Sequence, residues 1–287
     1  MPAIPANTRP LAGARPRLKT PPGAVDCHMH FYMPGFSAQP GGPPIAELAV
    51  PEDYAVMQRR LGLERVVITQ ANAYQFDNGS LLAALKQLGK DKARGMVTVS
   101  PDATLAELRA MTELGVCGAR IMDLPGGATP IRNMKPVETK IRDLGWNMMV
   151  QFKGREVETL YPALDSIEAN YVIDHIAKFI DPVPSDDPRA DMLLRLIDKG
   201  NAWFKIAGVY ETSVTGAPDF SDVAPLIKRV VAHAPERIVW GSNWPHVGVP
   251  RANYPDDALL LDNLLDWATP EQQQKILVDN PVEFFGF

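Results

Sequence analysis

The chain is 287 residues long, 46% apolar and 22% charged, with a formal net charge of −5. That length suits one eightfold barrel with modest extensions, and the composition is that of a globular protein with a large core. The acidic balance and the absence of a Lys/Arg cluster exclude nucleic acid as an expected partner, and no stretch approaches the roughly 18 to 20 apolar residues of a membrane helix.

Met1 to Pro22 are rich in Pro, Ala and Arg and hold no apolar core of signal-peptide length, so residues 1–22 read as a flexible arm on a protein expected in the cytoplasm. Cys27 and Cys117 lie far apart, outside any C-x-x-C pair, and predict neither a disulfide framework nor a thiolate metal site. From residue 23 to residue 287 the chain reads as one domain. Short apolar runs rich in β-branched residues alternate with helical patterns. The predicted strands are Ala24 to His30, Arg65 to Gln70, Gly95 to Ser100, Val116 to Met122, Asn147 to Phe152, Tyr171 to His175, Ala202 to Ala207 and Arg237 to Gly241. Between them Pro51 to Leu61, Ser80 to Leu88, Leu105 to Leu114 and Pro188 to Lys199 read as helices that cross back to the next strand. Eight such units in one continuous pattern favour closure into a (β/α)8 TIM barrel over an open doubly wound sheet.

In a barrel the C-terminal strand ends and the loops after them form the active face, so polar residues there are the candidates. His28 and His30 end the first strand, Gln70 and Asn72 the second, Arg120 the fourth, Gln151 the fifth, His175 the sixth, Lys205 the seventh and Asn243 the eighth. Alternation along a strand puts His28 and His30 on one side, taken as inward, and turns Cys27 and Met29 to the helices. The same rule turns Asp174 to the helices as a structural residue. Of the five histidines, His28, His30, His175 and His246 fall at strand ends or just after them, and His233 reads as structural. Arg120 presents a planar fork suited to a carboxylate, and Lys205 could polarise a carbonyl or neutralise a second oxygen. Gln70, Asn72, Gln151 and Tyr210 are candidates to hydrogen-bond a substrate's hydroxyls or to support groups that do. Tyr32 and the Pro- and Gly-rich loop from Pro34 to Pro44 lie where a lid could close.

Val25-Asp26-Cys27-His28-Met29-His30, Ile173-Asp174-His175 and Trp240-Gly241-Ser242-Asn243-Trp244-Pro245-His246 resemble the amidohydrolase-related lactonases. The resemblance runs on to lactone-isomerising members through Ile68-Thr69-Gln70-Ala71-Asn72, Asp77-Asn78-Gly79, the run Gly118 to Gly127 and the run Trp203 to Glu211, and covers roughly Val25 to Pro281. It implies an eightfold amidohydrolase-like barrel acting on a small-molecule aldaric acid lactone in sugar-acid catabolism, with no required cofactor. Catalysis would fall to His28, His30, His175, His246 and Asn243, and substrate binding to Gln70, Asn72, Arg120, Gln151, Lys205 and Tyr210. Metal-dependent members carry a Lys or carboxylate on the fourth strand, a His on the fifth and an Asp on the eighth, where this chain has Arg120, Gln151 and Asn243. A divalent metal on His28, His30 and His175 is the lesser reading, since no anionic ligand is evident and Arg120 brings a fixed positive charge.

Asn243 also bears on the reaction, because an amide cannot take a proton from water as a carboxylate can. Intramolecular attack by a substrate hydroxyl does not need that base, which favours ring exchange over ring opening, and the resemblance implies that the exchange is between the 1,5- and 1,4-lactones of galactarate. The general base stays open among His30, His175 and His246. Hydrolysis of a dicarboxylic or aldaric lactone is the alternative, and a sugar-acid-binding protein without turnover is a third reading. The oligomeric state is left open.

Overall fold

The computed structural model describes residues 4–287. Eight parallel strands follow one another around the sheet in chain order: β1 (Val25–Met29), β2 (Arg65–Thr69), β3 (Ala93–Val97), β4 (Val116–Met122), β5 (Asn147–Gln151), β6 (Tyr171–Ile173), β7 (Ala202–Ile206) and β8 (Ile238–Trp240). The seam between last and first strands is closed by the chain just after β8. Met29 bridges Trp244, the His30 N–H donates to the Trp244 carbonyl at 2.8 Å, and the Asn243 N–H donates to the His28 carbonyl at 2.8 Å.

The outer helices are α1 (Pro51–Leu61), α2 (Gly79–Leu88), α3 (Leu105–Glu113), α4 (Met134–Ile141), α5 (Val157–Asp165), α6 (Pro188–Asp198), α7 (Ala224–His233) and α8 (Asp257–Asp262), followed by shorter C-terminal turns. Their ends are written in the sequence. Helix α1 starts on Pro51 with Glu52 and Asp53 in its first turn, ends with Arg59 and Arg60, and stops at Gly62 in the left-handed region. Thr104 and Glu107 form a capping box at the start of α3.

Inside the barrel, Val25, Cys27, Val67, Met96, Met149, Val172, Trp203 and Val239 form an apolar plug closed below by Phe284 and Phe285. This layer sets the phase of the strands that supply its buried residues, all but β4. Two residues further on, alternation brings Thr69, Gln151, Asp174 and Lys205 inward above the plug. In β1 the pairing with β2 shifts register between Asp26 and Met29, so the chain gains an irregular residue there. As a result Cys27, expected against the helices, lies in the plug with Val25, while His28 above it also turns inward.

The arm expected to be flexible has its first three residues outside the described ones. From residue 4 to residue 22 it forms no helix or strand. It is nonetheless tied to the barrel: Leu18 is buried, its N–H donates to Asp262 at 2.9 Å, and the Thr8 hydroxyl donates to Glu47 at 2.6 Å. Among the described residues no helix is long and apolar enough to cross a membrane.

Candidate active site

His28, Asp174 and Lys205 lie directly above the plug and are fully buried. The Lys205 ammonium forms an ion pair with Asp174, 3.2 Å from its Oδ1, and stands 3.2 Å from His28 Nδ1 and 3.3 Å from Met149 Sδ. His28 Nδ1 also lies 3.2 Å from Asp174 Oδ1, so it stands between a donor and an acceptor, and these two contacts alone do not place its proton. His28 Nε2 is 3.3 Å from His30 Nε2, and His30 Nδ1 is 2.8 Å from the Thr69 carbonyl, which can only accept. With both rings neutral, the Thr69 carbonyl places the His30 proton on Nδ1, His30 Nε2 accepts from His28 Nε2, and His28 Nδ1 is left to accept from Lys205. Burial pushes the His28 imidazole well below the ordinary histidine range, and burial followed by the Arg120 charge lowers His30 to about 3, so both rings are neutral at pH 7. Burial opposes ionisation of Asp174, but the Lys205 charge, with the His175 and His28 rings beside it, outweighs it and holds the carboxyl well below its usual range.

After β6 the backbone turns sharply. His175, Ile176, Ala177 and Lys178 have φ of 50°, 47°, 58° and 45°, a left-handed run that non-glycine residues adopt only at a cost. The run carries His175 and Lys178 to the cavity. His175 Nδ1 lies 3.0 Å from Asp174 Oδ2, and its Nε2 lies 3.9 Å from Glu211 Oε2. Alternation alone assigns Asp174 to the helices and His175 to the interior. The phase set by Val172 reverses this: Asp174 faces inward, and His175 arrives by the turn.

Glu211 closes the facing wall from a short turn after β7. Gly208 opens that turn at φ 60°, where a Cβ would meet His175 Cδ2 at 2.5 Å, so only glycine fits against the imidazole. Glu211 pairs with Lys178 and accepts from Asn243 Nδ2 at 3.0 Å. Burial opposes its charge, but His175 and Lys178 outweigh it and lower its pKa. Asn243 Nδ2 also donates to the Tyr210 hydroxyl at 2.8 Å. That hydroxyl donates to His246 Nδ1 at 2.8 Å, and His246 Nε2 donates to Asp257 at 2.9 Å. Tyr210 and His246 thus brace Asn243 from behind.

The opposite wall belongs to Arg120, which is only 6% exposed. It donates to the Gln70 carbonyl at 2.6 Å, to Asn72 at 3.4 Å and to Gln151 Oε1 at 3.0 Å, while its buried Nε finds no acceptor. Burial lowers its pKa, and among the described residues no carboxylate forms an ion pair with it. The Gln70 side chain points away and donates to the Asp77 carbonyl at 2.8 Å, holding its own loop.

Between the walls is a cavity of about 190 Å³, with Arg120, Asn72 and Gln151 on one side and His175, Lys178 and Glu211 on the other. His30 and Asn243 also line it, and Tyr32, Met122 and Leu124 narrow it. The structure therefore brings together His30, Asn72, Arg120, Gln151, His175 and Asn243 of the expected residues. It sets His28 and Lys205 beneath the cavity and Gln70, Tyr210 and His246 behind its walls. Asp174, Lys178 and Glu211 are the functional groups that pattern reading missed, and the expectation of no carboxylate in the site is corrected by Asp174 and Glu211.

His28, Asp174 and His175 offer ligand atoms within 4.8 Å of one another, the one such group of this kind among the described residues. A divalent ion does not fit there, because the Lys205 ammonium already stands 3.2 Å from two of the three donor groups.

Residues 25–287 match the family described as Amidohydrolase. The chain is 44% identical over 281 residues to the D-galactarolactone isomerase of Agrobacterium fabrum, covering 96% of each chain. It is 31% identical to the 2-pyrone-4,6-dicarbaxylate hydrolase of Comamonas testosteroni, covering 95% of this chain and 93% of that one. An apo crystal structure from Agrobacterium tumefaciens superposes with a TM-score of 0.93 at 43% identity, covering 97% of this chain and 99% of the other.

Proposed function

The chain belongs to the amidohydrolase family, and on that premise we propose that it is a metal-independent isomerase interconverting the 1,5- and 1,4-lactones of galactarate. The observation that carries this reading is Arg120, a buried cation with no carboxylate partner, set across a small cavity from an Asp174-supported histidine. The free carboxylate of an aldaric lactone supplies the charge that Arg120 lacks, and the fork suits two-point binding.

His175 is the general base. The Asp174 carboxylate, 3.0 Å from Nδ1, favours the tautomer with its proton there and leaves Nε2 as the acceptor at the cavity, the role a buried carboxylate plays behind a catalytic histidine. His30 has both nitrogens engaged, and His246 is sealed behind Tyr210 and Asp257. In the forward direction the 4-hydroxyl attacks C1, His175 takes its proton, and the Lys178 ammonium faces the developing oxyanion. The C1–O5 bond then breaks and the proton passes to O5, so one ester bond replaces another and no water is consumed. Proximity within one molecule supplies much of the acceleration. Water lacks comparable help, because Asn243 has both amide hydrogens engaged and Glu211 is held in its weakly basic, ionised form.

An NMR time course on each lactone tests the reading: each should give the other lactone. Open-chain acid as the main product would replace it with hydrolysis. Saturable binding with unchanged spectra over hours would show a binding protein.

A further inference from the structure

We propose that the Lys205 ammonium is a built-in cation standing where a divalent metal would bind, and that it alone keeps His28, Asp174 and His175 from forming a metal site. The three side chains present their donor atoms within 4.8 Å of one another in a fully buried pocket, as a metal's ligands would. Neither Asp174 oxygen, nor His175 Nδ1, forms a well-aligned hydrogen bond, so the carboxylate is held by surrounding charge. At the centre of that charge is Lys205, 3.2 Å from both Asp174 Oδ1 and His28 Nδ1. It arrives on β7, two residues above Trp203 of the plug, and its stem is packed on every side.

The substitution changes what the cluster can do. An ammonium compensates Asp174, yet it has no open coordination position at which to bind and acidify water. The cluster becomes a rigid support for His175. Lys205 is in these terms a positioning residue: it touches Asp174, and Asp174 orients the base. This inference concerns metal affinity and holds whichever lactone is the substrate.

The experiment compares wild-type protein with Lys205→Met, whose thioether would sit beside Met149. Both are checked for fold by circular dichroism, equilibrated with zinc, desalted, and assayed for bound metal by atomic emission. Wild type should retain no stoichiometric zinc and show no zinc-dependent change in Tm. Lys205→Met should retain about one zinc per chain and melt higher with zinc, and both effects should vanish when Asp174→Asn is added. If Lys205→Met is too unstable to purify, Lys205→Gln is melted with and without zinc, and a rise in Tm supports the proposal. It is overturned by wild-type protein that holds one zinc with Lys205 in place, or by folded Lys205 variants that bind none and melt alike with and without zinc.

Discussion

Two clusters of buried charge lie one above the other in this barrel and follow opposite plans. In the lower one Lys205 and Asp174 are fully buried but face each other, with His28 completing the contacts. In the upper one Arg120 is nearly as buried, yet its partners are the neutral oxygens of Gln70, Asn72 and Gln151. A buried charge costs several kcal/mol unless it is paired, so a compensated cluster is stable by itself and an uncompensated one calls for a ligand. The contrast separates scaffold from binding site in residues that share one face of the barrel and, in the sequence, look alike.

The largest expected effect breaks the link between the two clusters. His175→Gln should lower kcat about 10²- to 10⁴-fold while leaving the thermal melt close to wild type, since the lower cluster keeps its own compensation. Wild-type turnover in that variant would remove His175 from the chemistry. Arg120→Lys comes next: it keeps the charge but loses the fork, and KM for an aldaric lactone should rise roughly 10- to 100-fold with a smaller change in kcat. A lactone without the free carboxylate should be nearly indifferent to the substitution. Equal effects on both substrates would show that Arg120 does not read the carboxylate.

Asn243→Asp acts on the boundary between the clusters and should have a smaller effect. It sets a second carboxyl where an amide nitrogen now lies 3.0 Å from Glu211 Oε1, so the two groups must share a proton and their joint titration moves up. The result is a better base for water beside a worse-placed His175. Isomerisation should fall and open-chain acid should appear as a minor product in the NMR time course. Unchanged isomerisation with no acid would mean that this position does not gate the reaction.

The strands were legible because interior parallel strands are continuous apolar runs, and both β4 and α1 begin and end where the pattern says. Arg120 and Gln151 were legible for the same reason, as alternation along well-formed strands gives their direction. The phase failed where strands are short or irregular. Strand β6 has three residues, too few to fix which way Asp174 points, and the left-handed turn after it follows no period. In β1 the register shift places Cys27 and His28 on the same side, against alternation. Lys178 and Glu211 sit in short turns without periodicity, and Lys205 reads as a substrate ligand because alternation turns its partner Asp174 the wrong way.

The smallest expected effect is on stability and concerns His30, which joins the two clusters. Its folded pKa is lowered to about 3 from an ordinary value of 6.5, by burial first and by Arg120 second. Between those values the unfolded chain holds a proton that the folded one does not. The stability from keeping His30 neutral is thus fully present above about pH 6.5 and lost as the pH falls toward 3. His28 is lowered in the same direction and adds to the slope. Replacing His30 with Asn removes one of the two protons, so stability should fall less steeply on acidification, by up to about 1.4 kcal/mol per pH unit. Urea unfolding of both proteins at several pH values between 4 and 7 measures this. Parallel slopes would mean that His30 takes up its proton in the folded state as readily as in the unfolded one, and the fixed chain of tautomers from Lys205 to Thr69 would then be wrong at its second histidine.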